Sequence, residues 1–249
     1  VTPAMILPLL ERHFGDWEPP AGQSPPRAAI TAATGSSGTR VYLLDRPGAP
    51  QTSILAGQLM PSSQAPDRIE LNTANHVLGG TFTSRINMNL REDKHWSYGA
   101  RSSLTETRGQ RPWLLSAPVQ TDKTVESIQE IRRELADLLA TRPITAEEFA
   151  KVRNRDVRAL SGQYETNAAV SSAIGDIVRF GRPDDYVRTL RARLQGQTDA
   201  GVRQAAAQAF QPDSLTWVIV GDLSKIEAPI RELGLGSVQV LDADGNVLR

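Results

Sequence analysis

Two hydrophobic periodicities succeed one another along this chain, and their order restricts the fold more than any single motif does. From Arg40, "RVYLLDRPGAPQTSILAGQLM" has two apolar runs flanking "DRPGAP", the pattern of two adjacent antiparallel strands joined by a Pro/Gly turn. A helical stretch follows, in which Ile69, Ala74, Val77 and Leu78 make a buried stripe and Gly79-Gly80 a stop. A second short helix is capped by Thr83 or Ser84, sets Ile86 and Leu90 one turn apart, and carries Arg91 in its last turn. "WSYGARSSLTET" and "PWLLSAPVQ" read as paired strands around "RGQR". Val125, Ile128, Ile131, Leu135, Leu138 and Leu139 then recur at threes and fours, an amphipathic helix. Thr145 and Glu148 form a capping box that opens the next helix. Further helices run to about Phe210, followed by a buried strand "SLTWVIVGD", a helix near 224–233 and a short strand at "SVQVLD". Strands, helices, strand, helix: the order predicts an α+β two-layer sandwich, a mainly antiparallel sheet with helices on one face.

At 249 residues, 39% of them hydrophobic, the chain can bury a sizeable core. Lys plus Arg equals Asp plus Glu at 28 each, so no long-range field favours a nucleic acid or an acidic membrane surface. The absence of cysteine excludes disulfides, thiolate metal sites and a cysteine nucleophile, and leaves the compartment open. Apolar runs such as "WVIV" fall far short of the roughly 20 residues a membrane-spanning helix needs. A start at Val1 with no leader-like segment suggests a processed or excised chain.

The first residues stand apart. "VTPAMILPLLERHFGDW" reads as a short amphipathic helix with Met5, Leu9 and Leu10 on one face, and residues 18–39, rich in Pro, Gly, Ser, Ala and Thr, read as a linker. The start also echoes the end: Pro8 falls on Pro229, Leu9 on Ile230, Glu11 on Glu232, Phe14 on Leu235 and Gly15 on Gly236. Thr2 and Ser224 both look like helix openers if one residue is inserted in the first copy. Two amphipathic helices can match by chance. If the echo is real, residues 1–17 close a preceding repeat of roughly 220 residues, 18–39 link, and 40–249 form one whole repeat.

Few residues have the types and spacing that chemistry needs. His13, His76 and His95 are far apart, and none sits in an H-x-x-E-H or H-E-x-x-H frame that would put two imidazoles on one helix face. A zinc site within the chain is therefore not expected. No G-x-S-x-G elbow, P-loop or dinucleotide fingerprint follows a strand. Glu92-Asp93 and Glu147-Glu148 are adjacent on helices and do not face each other. Arg91 and Tyr98 differ: a helix end, a turn through "EDKHW" and a strand entry can bring a permanent cation and a phenolic donor to one side of a cleft. Such a pair suits a peptide carbonyl and the oxyanion that grows on it. On spacing alone, the alternative stays open that Arg91 pairs with Glu92 or Asp93 while Tyr98 is half buried in the sheet.

At these residues a family pattern emerges. "LNTANHVLGGTFTSRINMNLREDKHWSYGA" closely resembles the C-terminal, zinc-free half of the insulinase-like (M16) zinc metallopeptidases, whose pattern there is roughly N-x-x-L-G-G-x-F-x-S-R-L-x-x-x-L-R-E-x-x-x-x-x-Y. "VYLLDRPGAPQTSILAGQL" resembles the family's opening hairpin, "WVIVGDLSKIEAPIRELG" its closing strand and helix, and "ILPLLERHFGDW" the closing helix of the preceding half. The resemblance implies an M16-peptidase-like (LuxS-metallohydrolase-like) half that faces a homologous half around a chamber. Zinc, held by H-x-x-E-H and a distal glutamate, would lie on that partner half or subunit, and none in this chain.

By the same resemblance, Arg91 orients a peptide or protein substrate and Tyr98 hydrogen-bonds the scissile carbonyl. The chain alone would be inactive, holding no catalytic residue of its own. The family commonly has glycine where His95 stands, so a positive φ there would strain the turn and shift Tyr98. Many bacterial members are exported, which implies a periplasmic location. Other readings are a proteolytically inactive structural subunit, a role some members serve, and a peptide-binding module that adds a strand at a sheet edge.

Overall fold

The computed structural model describes residues 1–18, 30–35 and 37–249. Most of the expected linker lies outside the described residues. The chain divides into two units, Val1–Thr31 and Ala32–Arg249. The first holds α1 (Pro3–Phe14), opened by Thr2 in extended conformation and by Pro3, whose missing N–H costs nothing at a helix start. None of its residues is buried, and Met5, Leu7, Leu9 and Phe14 are exposed.

The second unit contains β1 (Arg40–Asp45), β2 (Gln51–Met60), β3 (Arg101–Leu104), β4 (Arg111–Gln120), β5 (Thr216–Gly221) and β6 (Ser237–Leu241) in one mixed sheet, ordered β3-β4-β2-β5-β1-β6. β3, β4, β2 and β5 pair antiparallel in succession, whereas β1 pairs parallel with both β5 and β6. This corrects the expected β1–β2 hairpin. The two strands run in opposite directions, but β5 lies between them, with Ile54 and Leu43 both opposite Ile219. The "DRPGAP" turn therefore steps over a strand position. Local turn chemistry cannot distinguish that from a hairpin, because the intruding strand comes from the far end of the chain.

Burial along the strands alternates with period two, as a half-covered sheet requires. Val41, Leu43, Ile54, Ala56, Trp113, Leu115, Ala117, Trp217 and Ile219 face the helices, while Leu55, Leu59 and Leu114 lie exposed on the other face. α2 (Arg68–Asn75) runs into a wider, π-helical turn, His76–Gly80, that buries Val77 and Leu78. α4 (Thr124–Leu139) buries Ile128, Ile131, Leu135 and Leu138, the predicted stripe. Gly79 is needed where that π-turn meets the sheet, since a Cβ would stand 2.5 Å from Ser102 Oγ. There Asn75 Oδ1 accepts from Ser102 Oγ (2.6 Å) and the buried Trp113 indole (2.8 Å).

The segment that positions the candidate site begins at α3 (Arg85–Asn87) and continues as a second π-helical stretch, Met88–Asp93. Ser84 stands at the N-cap as expected, but its hydroxyl donates back to Thr81 O rather than capping the helix. Buried Arg85 fixes the stretch. Its guanidinium donates to both oxygens of Glu148 (2.7 Å each) and to the carbonyls of Arg142 and Pro143. Glu148 is also the capping-box residue of α5 (Ala146–Ala159), bonding the Thr145 N–H at 2.9 Å. One carboxylate thus closes a helix end and grips a guanidinium. α6 (Asn167–Phe180), α7 (Tyr186–Gln195), α8 (Asp199–Ala209) and α9 (Leu223–Glu232) complete the unit. Asp222, not Ser224, is the N-cap of α9, and Ser224 instead donates to it.

After the second π-stretch the chain turns at His95, which at φ 58° is alone among the described non-glycine residues in taking a positive φ. The family's glycine preference at this position thus coincides with a left-handed turn, and here the histidine occupies that conformation. The turn is held by Trp96 N–H to Leu90 O (2.9 Å), Gln120 N–H to Trp96 O (2.9 Å) and Gln120 Nε2 to His95 O (3.1 Å).

Three outcomes follow. Burial raises the Glu148 pKa, but the hydrogen bonds from Arg85 and Thr145 outweigh it and leave the group below its ordinary value. A depressed carboxylate pKa contributes stability above the unfolded-state value, near 4.5, and loses it as the pH falls through the folded value. Glu148→Gln should therefore flatten the loss of unfolding free energy between about pH 5 and pH 3, and Arg85→Ala should cost about 2 kcal/mol at pH 7, both read by denaturant titration. His95→Gly should raise stability by about 0.5 kcal/mol, as relief of the left-handed strain exceeds glycine's extra unfolded-state entropy, read as a higher midpoint at unchanged slope.

Candidate substrate-binding site

Arg91 sits in the second π-stretch and Tyr98 in the link between the His95 turn and β3. Together they line two adjoining hollows. One, of about 390 Å³, is bounded by Gln51, Glu92, His95, Trp96 and Gln120. The other, of about 540 Å³, is bounded by Gly80, Phe82, Asn87, Arg101 and Pro118. The predicted convergence of a helix end and a strand entry is thus present in the fold.

The two side chains are held differently. The Arg91 guanidinium stacks over the Phe82 ring, 4.7 Å from its centroid, and Nε lies 3.3 Å from Glu92 Oε1. Both members of that ion pair are about 40% exposed, so it contributes well under about 1 kcal/mol and leaves the guanidinium free to exchange partners. The aromatic platform fixes the plane of the group while one edge stays available to a ligand. The half-structural alternative is therefore met for Arg91, which does pair with Glu92, but not for Tyr98, whose ring is 87% exposed.

Backbone rigidity compensates for that exposure. Ser97 forms an isolated bridge with Val119; its hydroxyl donates to Pro118 O (2.5 Å), and its Oγ accepts the Gly99 N–H (3.1 Å). Buried Asn87 donates to Phe82 O (2.6 Å) and accepts from the Ala100 N–H (3.0 Å). One amide thus ties the platform of Arg91 to the segment bearing Tyr98. Trp96 packs on the core, with Lys94 and Lys123 over its ring. The phenol thus projects into solvent from a turn pinned on both sides.

The histidines behave as scattered residues. His76 shares a hydrogen bond with Asp156 (2.9 Å), His95 bonds Arg91 O (3.0 Å), and His13 lies on α1. No group of three or more His, Cys, Asp or Glu side chains among the described residues is placed to hold a metal ion, so the residues present do not fit a zinc site. No helix among them is long and apolar enough to cross a membrane. Phe82 and Asn87 were not legible as site residues, because an aromatic nine positions before an arginine and an asparagine on a short helix have no spacing signature. Only the folded turn brings them beneath Arg91 and Tyr98.

Comparison with known proteins identifies the fold and the family. Solved structures share the fold: the peptidase M16 inactive domain from Pseudomonas fluorescens (TM-score 0.71, 21% identity, 78% of this chain and 46% of that one) and a protease from Helicobacter pylori (0.77, 17%, 89% and 53%). The periplasmic protease PqqL from Escherichia coli also matches (0.70, 16%, 89% and 24%). The chain spans about half or less of each. No curated protein matches it in sequence. The family model "Peptidase M16 inactive domain", a constituent of M16 peptidases, matches residues 1–155, and the chain belongs to that family.

Proposed function

We propose that this chain is the non-catalytic half of a zinc-dependent endopeptidase, presenting Arg91 and Tyr98 to a peptide or protein held at a zinc site on another half or subunit that carries H-x-x-E-H. The observation that carries this reading is the exposed Tyr98 phenol on a turn braced from both sides, beside a cation on an aromatic platform. Tyr98 donates its hydroxyl proton to the scissile carbonyl oxygen, a bond that strengthens as charge develops there. Arg91 orients the neighbouring peptide unit. Polarisation of the carbonyl and activation of water belong to the partner's metal, and this chain contributes no ligand to it.

The first unit fits the same assembly. In the 221-residue echo, Met5 corresponds to Ile226 and Leu9 to Ile230. In α9 those isoleucines are buried, whereas Met5 and Leu9 on α1 are exposed. An apolar face of that pattern is built to pack on a core. We assign residues 1–17 as the closing helix of a preceding half, 18–39 as the linker and 40–249 as an α+β domain of the C-terminal type.

A second reading, a proteolytically inactive structural subunit, draws support from the likeness of this fold to a chain of Complex III2 from Candida albicans (TM-score 0.63, 14% identity). Peptide hydrolysis separates the two. The chain alone should be silent, and its zinc-loaded assembly with an H-x-x-E-H half active. In that assembly Arg91→Ala and Tyr98→Phe should each lower kcat/KM by about 10²-fold at unchanged melting temperature. An assembly that cleaves nothing, or cleaves equally well without the pair, establishes the structural subunit instead.

A further inference from the structure

A cavity of about 790 Å³ lies between α2, the end of α5, α6 and α7, away from the Arg91–Tyr98 hollows. On one side of it a single carboxylate serves three guanidiniums. Glu106 Oε1 meets Arg68 (3.2 Å) and Arg111 (3.3 Å), and its Oε2 meets Arg182 (2.8 Å). The Tyr186 ring beside them lies under Arg68, Arg182 and Arg193, and its hydroxyl accepts from Arg68. Arg111 is fully buried, donating also to Pro61 O and Asn72 Oδ1.

The donors are not satisfied. Nε of Arg182, a residue that lines the cavity, and Nη2 of Arg111, which does not line it, are buried and have no acceptor. Burial, reinforced by Arg68 and opposed by Glu106, holds both guanidiniums below their ordinary pKa range. Unmatched buried positive charge is costly, and an anion bound beside it would lower that cost. The other acidic groups on the cavity leave the imbalance standing. Asp156 is engaged by Arg155 and His76, and Asp176, which faces Arg182 from α6, forms no ion pair with it. The Tyr164 hydroxyl lines the same cavity, its pKa raised by burial and pulled back by Arg182. The remaining wall is mixed: Ile69, Leu160, Ala173, Val187 and Leu190 give it an aliphatic part, interrupted by the polar Thr73, Gln163 and Ser172.

We propose that this cavity is a binding site for a carboxylate with an apolar body, a peptide's C-terminal residue or a free organic acid, with Arg68 and Arg182 taking the carboxylate and the aliphatic part of the wall the body. Guanidinium pairs match a carboxylate's planar oxygens, and the aliphatic part of the wall selects against bare inorganic anions. Glu106 then acts as an internal stand-in that holds the arginines in place and competes with the ligand.

Calorimetric titration of the full 249-residue chain with N-acetyl-L-phenylalanine, its amide and orthophosphate tests this. The acid should bind, with the amide and phosphate at least about tenfold weaker. A tripeptide with the same C-terminal residue that binds more tightly than the single residue assigns the site to peptide ends, and equal binding assigns it to free acids. Arg182→Gln should weaken the acid about tenfold or more. Glu106→Gln should act in the opposite sense, lowering the melting temperature without ligand and strengthening binding, because the competing carboxylate is gone. Equal binding of acid and amide, no binding to about 10 mM, tighter binding of phosphate, or a Glu106→Gln that weakens the acid would overturn the proposal. If either variant fails to fold, the acid-against-amide ratio on the unaltered chain decides.

Discussion

The guanidinium of Arg85 is the joint on which the placement of the candidate site depends. Its acceptors come from the α4–α5 connection and from the capping carboxylate of α5, so it ties the short α3 and the π-stretch after it to a part of the chain about sixty residues away. A three-residue α-helix cannot hold itself, since nucleating a turn costs more than one turn returns. Buried Ile86 and Leu90 anchor the segment to the core. Arg85 sets its angle. Arg91, six residues on, inherits that angle, and Asn87 passes it to the segment carrying Tyr98.

Rigidity is therefore concentrated behind the site and absent from its tips. Carbonyl-directed hydrogen bonds fix the turn, while the phenol and the guanidinium edge remain solvated. Substrate-positioning groups need this division, because a donor already satisfied within its own domain has nothing left for a ligand. The arginines around Glu106 show the reverse arrangement, with long side chains clamped, buried and short of acceptors.

Period-two and period-3.6 patterns are strong where one face is buried, so α4, β4, β5, α9 and the Thr145–Glu148 capping box were all legible in sequence. The pairing of β1 with β5 and β6 was not, because strand order is decided by partners as far apart as Arg40 and Thr216 or Arg40 and Ser237 and leaves no mark on any of these strands. Arg91 and Tyr98 stood out through a family pattern rather than any periodicity. The Arg85–Glu148 contact lay hidden because the two residues stand 63 positions apart and Glu148 already had a local explanation as the capping-box acid. The Glu106 cluster draws on α2, β4 and the loops after β3 and α6, and no window of sequence contains it.

The insertion of β5 between β2 and β1 also sets the order in which the domain can be assembled on a ribosome. Both neighbours of β1 come from residues 216–241, so the first strand made is the last to be seated. At ordinary elongation rates the gap between the emergence of β2 and that of β5 is on the order of ten to thirty seconds. Throughout that interval "RVYLLD" has no ladder to join and β2 has one open edge. The nascent chain thus carries an unpaired apolar strand as a standing invitation to other sheet edges, and its safe maturation rests on whatever shields that strand until the C-terminal residues arrive.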